Sequence, residues 1–597
     1  MKFFKKYVKK YWKLFVLAVG CLSMEAFCDL LQPTIMSKII DKGVKNGDLQ
    51  YVMNMGILML SVAAVGAIFA VSRNILATHV SYKFGAELRL DLFKKVQSLS
   101  FESVDKFGGA SLVTRLTNDV TQVQNFTNGM MRIFVKAPIL CVGSIVMAVK
   151  LNWRMSLVFL AVIPMVIIII MINMRTGYPF FMKIQDKMDG VNGVMKEYLS
   201  GIRVVRAFNR CDYEEKKFEK ANEDLADTSV KAMRIMAIFS PCIMLVVNLG
   251  IVAILWIGGI KVNNGTMAVG QIMAFINYMT QILFSLTMIS HVFMMFIKAK
   301  ASYERIGQVF KEDTVSEFGE QFFEDKYFEK QLEEYLKEQQ PVLEFNKVEF
   351  SYYKDTGELA LKDVSFKLNR GETLGIIGST GSGKSTIISM IQGFYAPYSG
   401  EIKFNGVNIK DVDIKKLRGI MAVVPQKVVL FSGTIEDNIK WGDETADKNK
   451  VETMAKLSMA HEFIEGFPEK YGTMLGQGGV NLSGGQKQRI SIARALMRQP
   501  QLFIMDDCTS ALDVVTESKI RSALKNYSKG MTTIVVAQRI TSVMYADKIL
   551  VMDNGTVAGI GTHEELMDKC HIYKDIYTSQ IGKGMENRGQ SSAKTKL

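Results

Sequence analysis

The fold of the second half of this 597-residue chain is decided by one stretch, Gly378-Ser379-Thr380-Gly381-Ser382-Gly383-Lys384-Ser385-Thr386. It follows the apolar run 374–377 and precedes the run 387–390, which has helix-forming character. The order is therefore strand, glycine-rich turn, helix. In that context the pattern G-x-x-x-x-G-K-[ST] predicts a phosphate-binding loop within an α/β domain.

The residue types in the loop suit this chemistry. Glycines at 378, 381 and 383 let the backbone curl so that successive N–H groups face phosphate oxygens. The N-terminus of the following helix adds a partial positive charge. Lys384 is expected to reach the β- and γ-phosphates, and the Ser385 hydroxyl is expected to bind Mg²⁺. The sequence therefore predicts a site for ATP or GTP.

The first half of the chain has a different composition. The whole chain is 48% hydrophobic with a mean hydropathy of +0.13, which is too apolar for a wholly soluble protein, and it is too long for one domain. Apolar stretches approaching ~20 residues are long enough to span a bilayer. Six such spans are predicted, at roughly 14–36, 55–79, 130–149, 155–175, 236–260 and 269–297.

The N-terminus predicts the orientation of these spans. Six lysines alternate with aromatic residues within the first thirteen positions, a pattern typical of a segment at the cytoplasmic headgroup layer. No small-residue cleavage site follows the first apolar run, which argues against a signal peptide. Six crossings then return the chain to the cytoplasm, so both termini are expected there.

Charge and cysteines exclude other classes of function. The net charge of +14 is explained by basic loops on the inner side of a membrane, so no nucleic-acid partner is expected. The seven cysteines include no C-x-x-C pair, so we expect free thiols and no cysteine-bound metal.

Two inner loops are unusually long. Residues 80–127 and 176–232 extend the flanking spans as polar helical segments, with turning points near 101–111 and 206–218. Their exposed aromatic and charged residues suggest tips that dock on a soluble domain. Solvated loops without a docking role are the alternative.

Several further motifs follow in order, and with them the chain resembles the ATP-binding cassette (ABC) exporters over nearly its whole length. The motifs are the aromatic loop Phe350-Ser351-Tyr352, the glutamine Gln426 after Val423-Val424-Pro425, the signature Leu482-Ser483-Gly484-Gly485-Gln486, the strand Leu502–Asp506 and the loop Ser510-Ala511-Leu512-Asp513. The resemblance implies that Tyr352 stacks on adenine and that Gln426 and Asp506 join Ser385 at Mg²⁺. It also implies that Asp513 belongs to a loop that communicates between two ATP sites.

The resemblance also implies the architecture. An all-α membrane domain of six helices with long cytoplasmic extensions is expected at 1–310, followed by an acidic linker at 311–340. An α/β P-loop nucleotide-binding domain is expected at 341–582, and a polar tail at 583–597. A bacterial plasma membrane is the expected location.

The signature implies a dimer. Residues 483–485 precede a run without Pro or Gly, 486–497, which predicts a second helix N-terminus able to bind an anion. In the family, two nucleotide domains pack head to tail, and each ATP lies between the loop of one and the signature of the other. With one set of spans and one nucleotide domain, the chain is expected to be a half-transporter.

Two residues depart from the family pattern at the catalytic position. Asp507 stands where the family usually has Glu, which polarises the attacking water, and Gln538 stands where the family has His near the γ-phosphate. A milder departure is Gly-Gln-Gly-Gly at 476–479, where an acidic-basic pair is common. Together they resemble the degenerate-site subunit of heterodimeric bacterial multidrug exporters of the Thermotoga type. The alternative is a homodimer in which Asp507 is a slower base.

The transported substrate is the least determined feature. Glu25, Asp29 and His291 lie within predicted spans and are expected to face the bundle interior or a water-filled path. Glu25 and Asp29, one turn apart, would suit cationic amphiphiles, or they pair with bases such as Arg132 or Arg234 to hold helices together. A hydrophobic or cationic small molecule is the expected substrate. Lipid translocation, peptide export and a nucleotide-gated channel or regulatory role remain alternatives.

Overall fold

The structure is a computed structural model that describes residues 2–312, 341–352, 357–527 and 530–582. It divides into two compact units. One comprises 1–97 and 108–312, and the other joins the short segment 98–107 to the chain after 312. The linker expected at 311–340, apart from its first two residues, and the tail expected at 583–597 lie outside the described residues.

The chain up to residue 312 is helical. Its helices are α1 (Lys2–Lys38), α2 (Leu49–Gln97), α3 (Phe101–Phe107), α4 (Gly109–Thr114), α5 (Val120–Gly129), α6 (Lys136–Leu151), α7 (Leu157–Ala207), α8 (Cys211–Asn263) and α9 (Val269–Lys311). Short π-helical turns at Ile39–Val44, Arg115–Asp119 and Met130–Phe134 extend α1 and join α4, α5 and α6. Within the described ranges, six helical segments are long and apolar enough to cross a membrane. The predicted six-helix membrane domain is confirmed.

Three of these helices are much longer than a bilayer is thick. Helices α2, α7 and α8 have 49, 51 and 53 residues, which at 1.5 Å per residue gives roughly 75–80 Å against ~30 Å of hydrocarbon. The spans therefore continue as polar helices, as the sequence predicts. Prolines at 164, 179 and 241 lie inside α7 and α8, and neighbouring helices can compensate for such breaks in a membrane domain.

A buried ionic cluster joins three helices of this unit. Glu25 of α1 lies 2.8 Å from the Arg73 Nε of α2 and 2.5 Å from the Lys136 Nζ of α6. The same Nζ lies 2.9 Å from Asp29, and Arg73 also donates to the Arg132 carbonyl at 3.2 Å. Two acids thus face two bases, and the cluster is neutral. The carboxylates pair with bases, as the alternative in which they hold helices together expects. The bases are Arg73 and Lys136 instead of Arg132 or Arg234.

The second unit is built on sheets. Its strands are β1 (Leu343–Phe350), β2 (Leu361–Leu368), β3 (Thr373–Gly378), β4 (Ser399–Phe404), β5 (Val407–Asn408), β6 (Met421–Val424), β7 (Gly433–Thr434), β8 (Met474–Leu475), β9 (Leu502–Asp506), β10 (Thr532–Val536), β11 (Lys548–Asp553) and β12 (Thr556–Gly561). Its helices after α3 are α10 (Lys384–Ile391), α11 (Ile414–Gly419), α12 (Ile435–Lys440), α13 (Lys448–Leu457), α14 (His461–Glu465), α15 (Gly484–Met497), α16 (Val514–Tyr527), α17 (Ile540–Val543), α18 (His563–Lys569) and α19 (His571–Tyr577).

The main sheet positions the site. Its order is β12-β11-β3-β10-β9-β6, and all neighbours except β12 are parallel. The central strands are continuous apolar runs because both faces are covered. Val536 of β10 is opposite Asp506 of β9 and Ile376 of β3. The carboxyl ends of β3, β9 and β10 therefore meet at one edge, where ligands bind in open α/β sheets.

The two expected loop tips, near 101–111 and 206–218, differ in their contacts. In the first, α3 belongs to the second unit: Phe101 packs on Phe394 with ring centroids 4.1 Å apart, and the Tyr395 hydroxyl donates to Asp105 at 2.6 Å. In the second, α7 and α8 are joined by 208–210, and Phe208 and Tyr213 are exposed. The first tip therefore contacts residues that follow α10, in agreement with a docking segment.

The ionic cluster yields a stability prediction. We expect Glu25→Gln to lower the melting temperature markedly, because it leaves the buried Arg73 and the partly buried Lys136 facing one carboxylate, and breaking a buried pair costs about 3–5 kcal/mol. The matched control is Asp29→Asn, whose side chain is 34% exposed against 9% for Glu25, and which should cost less. Thermal unfolding in detergent measures both.

A second variant tests the cause. Glu25→Gln combined with Arg73→Gln leaves Lys136 paired with Asp29, so part of the lost stability should return. Equal melting temperatures for Glu25→Gln and the wild type would contradict a role of the cluster in holding the helices together.

Candidate nucleotide-binding site

The phosphate-binding loop connects β3 to α10, as the sequence predicts. Gly383 stands at the N-cap of α10 with φ 99°, a conformation that only glycine adopts easily. A Cβ on Gly378 would lie 2.1 Å from the Met552 carbonyl oxygen. Both glycines are therefore required by the backbone, and the loop leads directly into a helix N-terminus.

Lys384 is folded against its own loop. Its side chain is buried, and Nζ donates to the carbonyls of Gly378 at 2.9 Å and Ser379 at 2.7 Å. Burial lowers the pKa of the Lys384 ammonium, while the carboxylates of Asp507 and Asp506 act in the opposite direction. The cation thus lies at the mouth of the loop beside two acidic groups.

Two adjacent acids, Asp506 and Asp507, lie at the end of β9 near Lys384. Burial raises the pKa of Asp506, and the neighbouring Asp507 raises it further. Burial also raises the pKa of Asp507. Such a pair favours a cation, and Asp506, the exposed Ser385 hydroxyl and the Gln426 amide oxygen are the hard oxygen ligands that Mg²⁺ prefers.

The two unusual catalytic positions are in direct contact. Asp507 Oδ2 accepts a hydrogen bond from Gln538 Nε2 at 3.0 Å and another from Gln426 Nε2 at 3.1 Å. The Asp507 backbone is held at φ 45°, and its N–H donates to the Val536 carbonyl at 2.8 Å. One oxygen of this carboxylate is therefore occupied by two amide nitrogens.

Neighbouring parallel strands produce this arrangement. Gln426 lies two residues beyond β6, Asp507 one beyond β9 and Gln538 two beyond β10. These strands are adjacent in the order β10-β9-β6, so residues far apart in sequence converge at one edge. The sequence predicted that Asp507 and Gln538 share a site, but it gave no sign that they contact each other.

The aromatic residue Tyr352 lies beside the loop. Its hydroxyl is 3.1 Å from Thr386 Oγ1, and its ring is edge-on to Phe350 and Tyr395, at centroid distances of 4.8 and 5.3 Å. The ring is 44% exposed, so it can present apolar surface to a base.

Tyr395 is a residue that sequence reasoning missed. Burial and the hydrogen bond to Asp105 raise the pKa of its hydroxyl, which therefore stays protonated as the donor. The contacts Asp105–Tyr395–Tyr352 connect α3 to the aromatic residue beside the loop. No motif marks Tyr395 in the sequence, because its role depends on the packing of α3.

The signature begins a helix, as predicted. Ser483 is the N-cap of α15: its Oγ accepts from the Gln486 N–H at 3.3 Å, and the Gln486 side chain accepts from the Ser483 N–H at 2.9 Å. Leu482 is buried, and Gly484 and Gly485 pack against Ala511, whose carbonyl would lie 3.1 Å from a Cβ on Gly485. Nearby, Asp513 caps α16 by accepting from the Thr516 N–H at 2.9 Å.

The signature and the loop are separate surfaces. Within the described parts of the chain, no hydrogen bond joins 482–486 to 378–386. The remaining predicted residues lie elsewhere: Glu25 and Asp29 are in the ionic cluster of α1, and the side chain of His291 lies outside those described.

Comparison with known proteins agrees with these motifs. The family model of the ABC transporter transmembrane region matches residues 15–286, and that of the ABC transporter nucleotide domain matches 361–510. Among solved structures, a bacterial Atm1-family ABC exporter with ATP bound is similar, with a TM-score of 0.78 and 23% identity over 96% of this chain and 98% of that chain. This likeness concerns the fold.

Relatives at higher identity cover whole chains. The uncharacterized ABC transporter ATP-binding protein YfiB of Bacillus subtilis is 39% identical over 97% of this chain and 98% of its own length. An uncharacterized ABC transporter ATP-binding protein of Mycobacterium tuberculosis is 33% identical over 96% of this chain and 97% of its own. The ATP-dependent lipid A-core flippase of Chromohalobacter salexigens is 30% identical, with 96% and 97% covered. The chain belongs to the ABC transporter family, with the exporter-type arrangement of a six-helix membrane domain followed by an ATP-binding domain.

Proposed function

We propose that the chain is one half of a heterodimeric, ATP-driven exporter of hydrophobic or cationic amphiphilic small molecules, and that its own ATP site turns over slowly. The observation that carries the proposal is the Asp507 carboxylate, held by the amide nitrogens of Gln426 and Gln538. The family assignment supplies the coarser part: ABC exporters are ATPase-coupled transporters that function as dimers in membranes.

The geometry of Asp507 supports slow hydrolysis at this site. An aspartate places its carboxylate about one C–C bond, roughly 1.5 Å, behind that of a glutamate, and a misplacement of about 1 Å can cost ~10²-fold. Two donated hydrogen bonds stabilise the carboxylate and occupy the oxygen that would orient a water. Gln538 also lacks the ability of His to become cationic or to transfer a proton.

The binding elements are retained. Lys384, Ser385 and the glycines of the loop have the arrangement that cradles phosphates, and Asp506 with Gln426 and Ser385 would hold Mg²⁺. Bound Mg²⁺ would neutralise phosphate charge. The site is thus suited to hold ATP for long periods.

The signature supports a partner. Residues Ser483–Gln486 begin a 14-residue helix whose N-terminus is solvent-exposed at Ser483, so it can receive the phosphates of a nucleotide held by another subunit. The exposed Phe208 and Tyr213 at the second loop tip offer a further surface for that subunit. On this proposal the partner carries Glu and His, and its competent site is completed by this chain.

A second candidate function is lipid translocation. The resemblance to a protein named a lipid A-core flippase favours it, and a homodimer in which Asp507 acts as a slow base is compatible with the same fold. Peptide export, and a channel or regulatory role, have no specific observation in their favour. ATP-dependent uptake of dyes or labelled lipids into inverted vesicles separates these functions.

The proposal includes a substrate path through the membrane unit and a location of the protein in the plasma membrane. Glu25 and Asp29 neutralise Arg73 and Lys136, so a cationic substrate that enters this path would have to compete with resident cations. The bacterial relatives support a plasma-membrane location. The basic N-terminus and the six spans support cytoplasmic termini.

Restoring the family residues tests the slow site. We expect Asp507→Glu with Gln538→His to raise turnover at this site by about 10²-fold, because the carboxylate advances and is released from the Gln538 amide. The readout is ATPase activity of the assembled transporter in a Ser483→Arg background. That substitution blocks the opposite site, which this chain's signature completes.

The control is Asp507→Asn with Gln538→His, which supplies His without a carboxylate and should give no increase. Brisk hydrolysis in the Ser483→Arg background alone, before any restoration, would show that Asp507 is a sufficient base and would contradict the assignment.

The aromatic residue gives a binding prediction. Tyr352→Ala should weaken ATP binding to this chain roughly 5- to 150-fold, since stacking of a base on an aromatic ring is worth about 1–3 kcal/mol. Tyr352→Phe keeps the ring and loses only the contact with Thr386, so it should stay within a few-fold of the wild type. Photolabelling of this chain by azido-ATP in the full transporter measures both, and equal labelling of the Ala variant and the wild type would refute stacking.

A further inference from the structure

The membrane unit contains an apolar groove that is lined by none of the residues assigned above to the ATP site or to the cargo path. Its volume is about 440 Å³, within the ~300–1,000 Å³ range of small-molecule pockets. We call it the interfacial groove. It is lined mostly by aromatic and aliphatic side chains from four parts of the membrane unit: Tyr7, Val8, Tyr11, Trp12, Phe15 and Val16 of α1, Val80 and Phe84 of α2, Val123, Phe126 and Thr127 of α5 with Met130 directly after it, and Phe296, Ala299, Lys300 and Tyr303 of α9.

The groove lies where the membrane spans end. The lining positions 7–16, 80–84, 123–130 and 296–303 fall at the polar ends of the apolar runs 14–36, 55–79, 130–149 and 269–297. All four belong to the end of the bundle that carries the basic N-terminus. The groove is therefore at the depth where acyl chains meet headgroups, which is also where Trp and Tyr are enriched.

One edge of the groove is cationic. Lys9 and Lys13 directly follow the lining residues Val8 and Trp12 on α1, and Lys300 lines the groove from α9. All three lysines are exposed. Lys6 and Lys10 are different, because they pair with Asp91 at 2.9 Å and with Glu87 on α2. The carboxylates of α2 thus pair with Lys6 and Lys10, whereas Lys300 lines the groove and Lys9 and Lys13 each follow a lining residue on α1.

The groove is held open by hydrogen bonds. The Tyr7 hydroxyl donates to Asp91 at 2.6 Å and the Tyr11 hydroxyl to Glu87 at 2.9 Å. Tyr7 also packs edge-on against Phe84, with centroids 5.4 Å apart. These contacts fix α1 against α2, so an occupant meets a preformed surface and little ordering is required on binding.

We propose that the interfacial groove binds an anionic phospholipid, with an acyl chain along the aromatic lining and the phosphate group at Lys9, Lys13 and Lys300. Charge complementarity selects this occupant. A zwitterionic lipid would fill the apolar part but would bring a cationic headgroup to an edge that is already cationic. A soluble anion would leave the aromatic side chains exposed to water. The inference depends on the membrane-spanning fold and is independent of whether the ATP site is slow.

Quenching of Trp12 by brominated lipids tests the proposal. In the full-length protein, Trp153, Trp256 and Trp441, all exposed, are changed to Phe, so that Trp12 is the remaining fluorophore. The protein is placed in phosphatidylcholine nanodiscs that contain equal fractions of either acyl-brominated phosphatidylglycerol or acyl-brominated phosphatidylcholine. We expect the anionic lipid to quench Trp12 at severalfold lower mole fraction.

Two variants and a control separate the two parts of the site. Lys9→Gln, Lys13→Gln and Lys300→Gln together should remove the severalfold preference for the anionic lipid, because the attraction of lysines to an anionic lipid surface is lost. Ala299→Phe keeps all three lysines but fills the groove, and should reduce quenching by both lipids. The control Lys42→Gln, Lys45→Gln and Lys150→Gln removes equal charge from exposed positions near the other ends of the spans, and should leave the preference intact.

The outcomes are decisive in either direction. Preferential quenching that is lost in the groove-lysine variant and retained in the control supports the site. Equal quenching by the two lipids, an equal loss of preference in the control, or no quenching because a protein segment covers Trp12 in the assembled transporter would each overturn it. ATPase activity of the same samples shows that the variants are folded, and its level does not enter the comparison.

Discussion

The nucleotide site depends on the parallel register of β6, β9 and β10. Because these strands end side by side, Gln426, Asp507 and Gln538 converge on one carboxylate oxygen. In a site with glutamate and histidine, the same positions would hold a longer base beside a group able to carry a proton. Here the carboxylate is shorter and is held by amides, while the loop that binds phosphates keeps its geometry. The two departures from the family pattern thus lie together at one edge of the sheet, while the glycines and the lysine of the phosphate loop are retained.

Within the same unit, packed side chains connect the phosphate loop to α3. Helix α3 lies at the turning point of the first loop, and its Phe101 and Asp105 contact Phe394 and Tyr395. Tyr395 in turn packs on Tyr352, which lies beside the phosphate loop. Tyr352, Tyr395 and Asp105 therefore form a contiguous series of side-chain contacts between the phosphate loop and α3. Within the membrane unit, the cluster of Glu25, Arg73 and Lys136 joins α1, α2 and α6.

The sequence predicted the parts that depend on local patterns. Apolar runs of spanning length predicted the six membrane helices. The loop 378–386 and the signature predicted the N-termini of the helices that follow them, because glycine spacing and capping act within a few residues. It did not predict contacts that depend on tertiary packing. The partners of Glu25 are one case: pairing with bases such as Arg132 or Arg234 was one of two alternatives, and the packing of α2 and α6 on α1 brings Arg73 and Lys136 instead. The position of Tyr395 and the contact between Asp507 and Gln538 are two further cases that the sequence did not predict, since each joins residues from separate elements.

The central claim is that two different halves form the transporter and that this chain supplies the slow site. It is tested most directly by tagging the chain in its native host, solubilising the membranes mildly and identifying what co-purifies. The account predicts a second half-transporter at equal stoichiometry, with Glu and His where this chain has Asp507 and Gln538. A chain that purifies only with itself and hydrolyses ATP briskly would contradict it.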